Sequence, residues 1–268
     1  MSAERLGGAF DLLAAYDPDG GSYVEHAGEG ATASPGGEWI GAADVAARLR
    51  TVGPNAVAIG ALPFAGDGTL VIPAAGARRT PAGVERIGPG PTAASRSAGA
   101  APAAAFAEPQ LRELPAAEDY RAAVRDALDR IEDGELRKVV LARTIEVEAG
   151  RTLDPRRLAH RLRAVDPAAY TFAVPVPGGT LVGASPELLV SRSGPAVRAN
   201  PLAGSAPRAG DPAQDRAFAE ELAASAKDRE EHRLVVEDVA AVLGPLCTEL
   251  AWDPEPVLLE TPNVWHLS

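Results

Sequence analysis

The stretch Leu136-Arg137-Lys138-Val139-Val140-Leu141-Ala142-Arg143 reads as a short β-strand that follows directly on a helical segment. Its paired valines suit a pleated surface. A period of two puts Lys138, Val140 and Ala142 on one face. Lys138 is one of only two lysines in the chain, with Lys227; every other basic residue is arginine. Arginine holds its proton at any workable pH, whereas a lysine in an apolar environment can release one and act as a base. A lysine kept at the head of an apolar strand is therefore a candidate base.

The pattern extends outward from that strand. Upstream, Tyr120, Val124, Leu128 and Ile131 repeat at helical spacing, and Gly134 follows as a stop. Downstream, Tyr170–Val176 and Thr180–Gly183, joined by Pro177-Gly178-Gly179, predict a hairpin. Ala184-Ser185-Pro186-Glu187-Leu188-Leu189-Val190 is a turn leading into another strand, and Asn200–Ser205 is a loop. From about Gln214 to Leu243 the chain reads as helix with a break near Lys227, where Asp228-Arg229-Glu230-Glu231 has capping-box spacing. Nearer the N-terminus, Val57–Phe64 and Thr69–Pro73 flank the turn Ala65–Gly68 as paired strands, and Ile40, Val45 and Leu49 fit one face of a short helix. Residues 74–116 are rich in Ala, Pro, Gly, Ser and Arg and predict an irregular connection. These elements describe an α+β protein of antiparallel sheets packed with helices. Residues 1–116 form its first part and 117–268 its second.

Composition limits the functions open to the chain. Its 268 residues can bury a sizeable core, and a net charge of −11 argues against a nucleic-acid partner or an anionic membrane. An anionic substrate would need local positive charge from a metal ion or from selected Arg and Lys. A single cysteine, Cys247, excludes an internal disulfide and a cysteine metal site. The N-terminus lacks the pattern of a secretory leader, and no apolar run reaches membrane-spanning length. A cytoplasmic monomer is the expectation.

Three further positions carry possible chemistry. Glu187 reads either as a first-turn acid favoured by a helix dipole, with Ser185 and Pro186 as cap and first residue, or as a carboxyl held against apolar surface and serving as a general acid. Glu231 shares its helix face with Leu234, Val235 and Asp238, whereas Glu230 points elsewhere. A carboxylate on that stripe needs a partner, either an arginine or a hard cation such as Mg²⁺. His232 has no chemical role fixed by spacing and reads as structural. Gly204-Ser205, after Pro201, form a tight loop able to hold a carboxylate, or an ordinary turn. A lysine base, a carboxyl acid and a metal-binding carboxylate could together activate water and protonate a departing hydroxyl.

Five ordered motifs then point further. Lys-Val-Val-Leu-Ala-Arg (138–143), Gly-Ala-Ser-Pro-Glu-Leu-Leu (183–189), Pro-Leu-Ala-Gly-Ser (201–205), Lys-Asp-Arg-Glu-Glu-His (227–232) and Asn-Val-Trp-His-Leu (263–267) resemble the motifs of the chorismate-utilising enzymes. That family includes isochorismate, salicylate, anthranilate and aminodeoxychorismate synthases. Gly-Ala-Leu-Pro-Phe (60–64) and the form of the 201–205 motif are most similar to the isochorismate synthase branch. The resemblance implies that Lys138 activates water for attack at C2 of chorismate and that Glu187 protonates the departing C4 hydroxyl. It implies that Glu231 binds Mg²⁺, that Gly204 and Ser205 contact the ring carboxylate, and that His266 lines the pocket. Family members run on beyond the His-Leu motif, into segments that supply a second Mg²⁺-binding Glu, an Arg for the pyruvyl carboxylate and a further Lys. The expectation is thus a fold incomplete at its C-terminal side, from an isochorismate synthase serving siderophore or menaquinone synthesis. The alternatives are a salicylate or anthranilate synthase, or an inactive truncated relative.

Overall fold

The computed structural model describes residues 10–53, 56–88 and 109–268. In chain order the strands are β1 (Ser22–His26), β2 (Glu29–Ala33), β3 (Glu38–Gly41), β4 (Thr69–Ile72), β5 (Gly76–Thr80), β6 (Gly83–Ile87), β7 (Gln110–Leu114) and β8 (Thr144–Glu148). They continue as β9 (Tyr170–Val176), β10 (Gly179–Ser185), β11 (Leu188–Ser193), β12 (Ala196–Asn200), β13 (Ser205–Pro207), β14 (Leu258–Glu260) and β15 (Val264–Leu267). The helices are α1 (Val45–Val52), α2 (Ala117–Glu132), α3 (Pro155–Val165), α4 (Pro212–Ala224) and α5 (Ala226–Leu243). Every strand pair is antiparallel. The α+β class therefore stands. None of these helices is long and apolar enough to cross a membrane.

The chain divides into two compact units, residues 1–99 with 154–268, and residues 100–153. In the larger unit a six-stranded sheet runs β10-β9-β1-β2-β5-β6. Leu12, Leu13, Tyr16, Tyr23, Ala77, Ala159 and Ala173 form its fully buried core. Helix α3 lies on β9 and β10 and contributes Ala159 to that core. Its start is fixed by sequence: Asp154 accepts from the Arg156 N–H at 2.9 Å, and Pro155 takes the first turn, where no N–H partner is needed. The predicted hairpin forms as β9 and β10, with Tyr170 opposite Ser185 at its far end. Within it Gly183 faces Phe172, whose ring would lie 2.5 Å from any Cβ at position 183. With the ring where it lies, a side chain at 183 fits only if the ring turns aside.

A smaller three-stranded sheet, β13-β15-β14, carries the C-terminal motifs. Helices α4 and α5 pack on it. The break expected near Lys227 falls at Ser225. Ser225 Oγ accepts from the Asp228 N–H at 3.2 Å and donates to the Asp228 carboxylate. The helix cap is therefore Ser225, three residues earlier than the spacing at Asp228–Glu231 suggested. It satisfies one exposed N–H of the first turn, and the Ser225 N–H itself goes to the Leu222 carbonyl.

The smaller unit holds α2 and the β7–β8 pair. Arg112 pairs with Glu146 and Arg143 with Glu113, and the Arg143 guanidinium lies 5.6 Å over the Tyr120 ring. The predicted strand at Lys138–Arg143 is a correction: these residues form no strand, and the strand begins at Thr144. A strand exists only where a neighbour completes its ladder. Gln110–Leu114 pairs Thr144–Glu148, and among the described residues 138–143 belong to no strand ladder.

Three other expectations change. Val57–Phe64 is not a strand; only Ile59 bridges to Val71, and the true partner of β4 is β3. Ile40 accordingly belongs to β3, while Val45 and Leu49 lie on α1. The connection predicted over 74–116 is regular over much of its described length. β5 and β6 form a hairpin that completes the six-stranded sheet, and β7 follows. Pro81, one of the prolines of that stretch, sits in the turn of that hairpin, where its fixed φ is tolerated. Pro89, Pro91 and Pro102 lie outside the described residues.

Candidate functional site

The loop Pro201–Gly204 joins β12 to β13, and its backbone is held on both sides. The Ala203 N–H donates to the Leu267 carbonyl at 3.2 Å, and the Leu267 N–H returns to the Gly204 carbonyl at 3.1 Å. Gly204 has φ +84°, and a Cβ there would come within 2.9 Å of the Asp228 Cβ on α5. Both the left-handed backbone and the close approach of the helix demand glycine. The loop is thus pressed against β15 on one side and the first turn of α5 on the other.

That packing brings four of the expected residues into one site. Ser205 and His266 are directly opposed in the β13–β15 ladder, and Ser205 Oγ lies 2.8 Å from His266 Nδ1. Glu187 follows β10 in the turn before β11, where its N–H donates to Ser185 Oγ at 3.2 Å. The Ser185 cap is therefore present, but a strand follows it and no helix. One Glu187 carboxyl oxygen accepts from the Leu202 N–H at 3.1 Å, which ties the acid to the 201–205 loop. Glu187 is exposed, which does not fit the reading of a carboxyl held against apolar surface. Burial lowers the pKa of His266 below the ordinary imidazole value, and the nearby charge of Glu187 opposes that shift. The imidazole beside Ser205 is thereby kept largely neutral at pH 7, able to accept or donate one hydrogen bond.

Glu231 lies on α5 one turn beyond Asp228, the residue in contact with Gly204. Its side chain is 32 % exposed, and Lys227 Nζ approaches it at 3.6 Å. Glu230, as expected, points elsewhere and pairs with Arg233. Among the described residues no group of three acidic, histidine or cysteine side chains is placed to cage a metal ion. Glu231 fits a hard cation only as a single carboxylate ligand, with other ligands drawn from an anionic substrate and water. His232, beside it, is 6 % exposed and donates to the Pro201 carbonyl, so it steadies the same loop from below. Its structural reading stands. Lys138 is half-buried in the smaller unit.

Sequence reasoning missed the clamp that holds this site in register. The Arg208 guanidinium reaches Asp215 at 2.9 Å, Glu260 at 2.8 Å and the Thr261 carbonyl at 2.8 Å, and its Cζ lies 4.4 Å over the Trp265 ring. Asp215 also accepts from the Ala209 N–H at 2.9 Å and from the indole N–H of Trp265 at 3.1 Å. These bonds fasten α4 and β14 to β15, one residue from His266. The bonds to Arg208 in particular hold the Asp215 carboxyl down at about 2. No spacing rule links positions 208, 215, 260 and 265. Only the Asp211-Pro212 helix start hinted that α4 begins there.

Comparison with known proteins places the chain in a family. The family model described as chorismate binding enzyme matches residues 92–268. MenF of Mycobacterium tuberculosis (strain H37Rv) is 48% identical over 163 residues, covering 58% of this chain and 44% of the relative. The isochorismate synthase DhbC of Bacillus subtilis is 44% identical over 165 residues, covering 59% of this chain and 42% of the relative. The solved structure of DhbC from Bacillus anthracis superposes with a TM-score of 0.82 at 32% identity, covering 96% of this chain and 68% of that one. The chain thus spans less than half the length of these curated relatives in sequence and about two thirds of the solved one in structure. With the Glu187, Ser205 and His266 positions assembled on the matched segment, the chain belongs to the chorismate-binding enzyme family.

Proposed function

We propose that this chain carries the chorismate-binding part of a cytoplasmic, Mg²⁺-dependent isochorismate synthase. The observation that carries the reading is the tie between Glu187 and the 201–205 loop: one hydrogen bond fixes the acid beside the Ser205–His266 pair. Isochorismate synthases among the relatives support the same reaction.

In this reading water adds its oxygen at C2 while Lys138 takes up the proton released. The ring double bonds shift, and the C4 hydroxyl departs as water with a proton from Glu187. One water enters and one leaves, so the reaction is an isomerisation. The N–H groups around Gly204 and the Ser205 hydroxyl receive the ring carboxylate, and His266 orients Ser205. Mg²⁺, with Glu231 as its protein ligand, would offset the negative charge of the substrate in a chain whose net charge is −11. The product would enter catechol siderophore or menaquinone synthesis.

The test is product analysis. The chain is supplied with chorismate and Mg²⁺, with and without ammonium, in the presence of the part of a relative that it does not span. Isochorismate is the expected product, and removing Mg²⁺ with a chelator should stop its formation. Glu187→Gln should lower turnover by about 10²–10⁴-fold, the usual worth of a positioned acid. Salicylate with pyruvate, or anthranilate when ammonium is present, would assign the chain to another branch.

A further inference from the structure

Helix α5 opens with a residue that does not serve the helix. Lys227 lies in its first turn, directly after Ala226. The amino-terminal end of a helix carries partial positive charge, which favours acids and repels an ammonium. The order of the pair is unfavourable as well. Lys227 precedes Glu231 by four residues, whereas an acid four residues before a base is the arrangement that supports a helix. The residue type is also unusual, because Lys138 and Lys227 are the only lysines in a chain that otherwise uses arginine. The side chain reaches two carboxylates. Its Nζ lies 3.3 Å from Asp228 Oδ1 and 3.6 Å from Glu231 Oε2. Both acids are held near the 201–205 loop: Asp228 receives the Ser225 hydroxyl and packs its Cβ toward Gly204, and Glu231 follows one turn later. Lys227 itself is 81% exposed, so its stem can carry the ammonium out to water with little loss of packing. An arginine here would grip carboxylates with a rigid fork, whereas a lysine meets them as a mobile point charge. An exposed pair of that kind is weak and readily exchanged.

We propose that Lys227 is a built-in counter-ion for the Glu231 carboxylate, and that Mg²⁺ binds Glu231 by displacing its ammonium. The proposal rests on the reading of Glu231 as a metal ligand. Lys227 takes no part in the chemical step. Its charge offsets the repulsion between two carboxylates three residues apart on one helix, beside the loop that receives an anionic substrate. It also sets how much Mg²⁺ is needed to load the site, and its exposed, flexible stem is what makes the exchange reversible.

The experiment titrates the isotopically labelled chain with Mg²⁺ alone, without substrate, and reads the amide resonances of residues 226–232. Lys227→Gln removes the charge and keeps a polar stem, and it should bind Mg²⁺ about two- to fivefold more tightly than wild type. Lys227→Arg keeps the charge on a firmer fork and should bind Mg²⁺ more weakly than wild type. The gap between wild type and Lys227→Gln should narrow as sodium chloride is raised, because the pair is exposed and screened. Glu231→Gln should lose the binding whatever stands at 227. A Glu231-dependent site that Lys227→Gln does not tighten, or that Lys227→Arg tightens equally, overturns the proposal alone. Binding that Glu231→Gln leaves intact, or no binding to any variant, removes the metal reading of Glu231 and the proposal with it.

Discussion

In the six-stranded sheet, Leu12, Leu13, Tyr16 and Tyr23 are completely buried, and the strands on either side of them complete one another's ladders. Around β13-β15-β14 the large buried apolar side chains among the described residues are Leu267 and, on α4, Leu222, and much of the order comes from Arg208, Asp215, Trp265 and the Gly204 contact with α5. The first region is held by area removed from water, which is non-directional and tolerant of small shifts. The second is held by directional bonds, which tolerate little displacement. Only the second kind of order can fix an acid, a hydroxyl and an imidazole to within hydrogen-bond reach. The six-stranded sheet supplies stability, and the small sheet spends part of it on placement.

Substitutions can break or sharpen this contrast. The largest expected effect is Leu13→Ala, which opens a cavity in the fully buried cluster. It should cost about 2–5 kcal/mol in denaturant unfolding of the larger unit. Gly204→Ala should cost about 1–3 kcal/mol through its left-handed backbone and the clash with Asp228. It should also weaken chorismate binding, which Leu13→Ala should not do below its unfolding transition. Asp215→Asn should lower the melting temperature in a pH-dependent way. The native carboxyl titrates at about 2, below the ordinary carboxylate value, so its stabilisation is complete above that ordinary value and is lost as pH falls toward 2. Wild-type and variant melting temperatures, separated at pH 7, should therefore converge at low pH. A gap independent of pH would remove the Arg208–Asp215 clamp as its source. The smallest effect is Tyr16→Phe. The Tyr16 hydroxyl is buried without a partner, so its removal should be neutral or mildly stabilising.

Elements that declare themselves through local period were legible in the sequence. Helix α2 and the β9–β10 hairpin appear where Tyr120–Ile131 and Tyr170–Gly183 predicted them. Elements defined by a distant partner were not. Lys138–Arg143 has the residues of a strand, but the ladder is made by Thr144–Glu148 with Gln110–Leu114, thirty residues away and more polar. β5 and β6 were hidden by their arginines and glycines, which read as linker until β2 is seen beside them. In the site, Glu187, Gly204, Ser205 and His266 were singled out because each sits in a short contiguous motif. The Arg208 clamp joins positions up to 57 apart, from 208 to 265, and no one-dimensional pattern marks it.

The Phe172 ring over Gly183 has a consequence for how these sequences can vary. The two positions are a single unit of exchange. A methyl at 183 would meet the ring edge, and the half-buried ring would have to turn aside to admit it. Substitution at 183 is therefore coupled to the rotamer, or to the size, of the side chain at 172. Gly183 is the first letter of the Gly-Ala-Ser-Pro-Glu motif. The motif records a packing agreement between two strands as well as the position of Glu187.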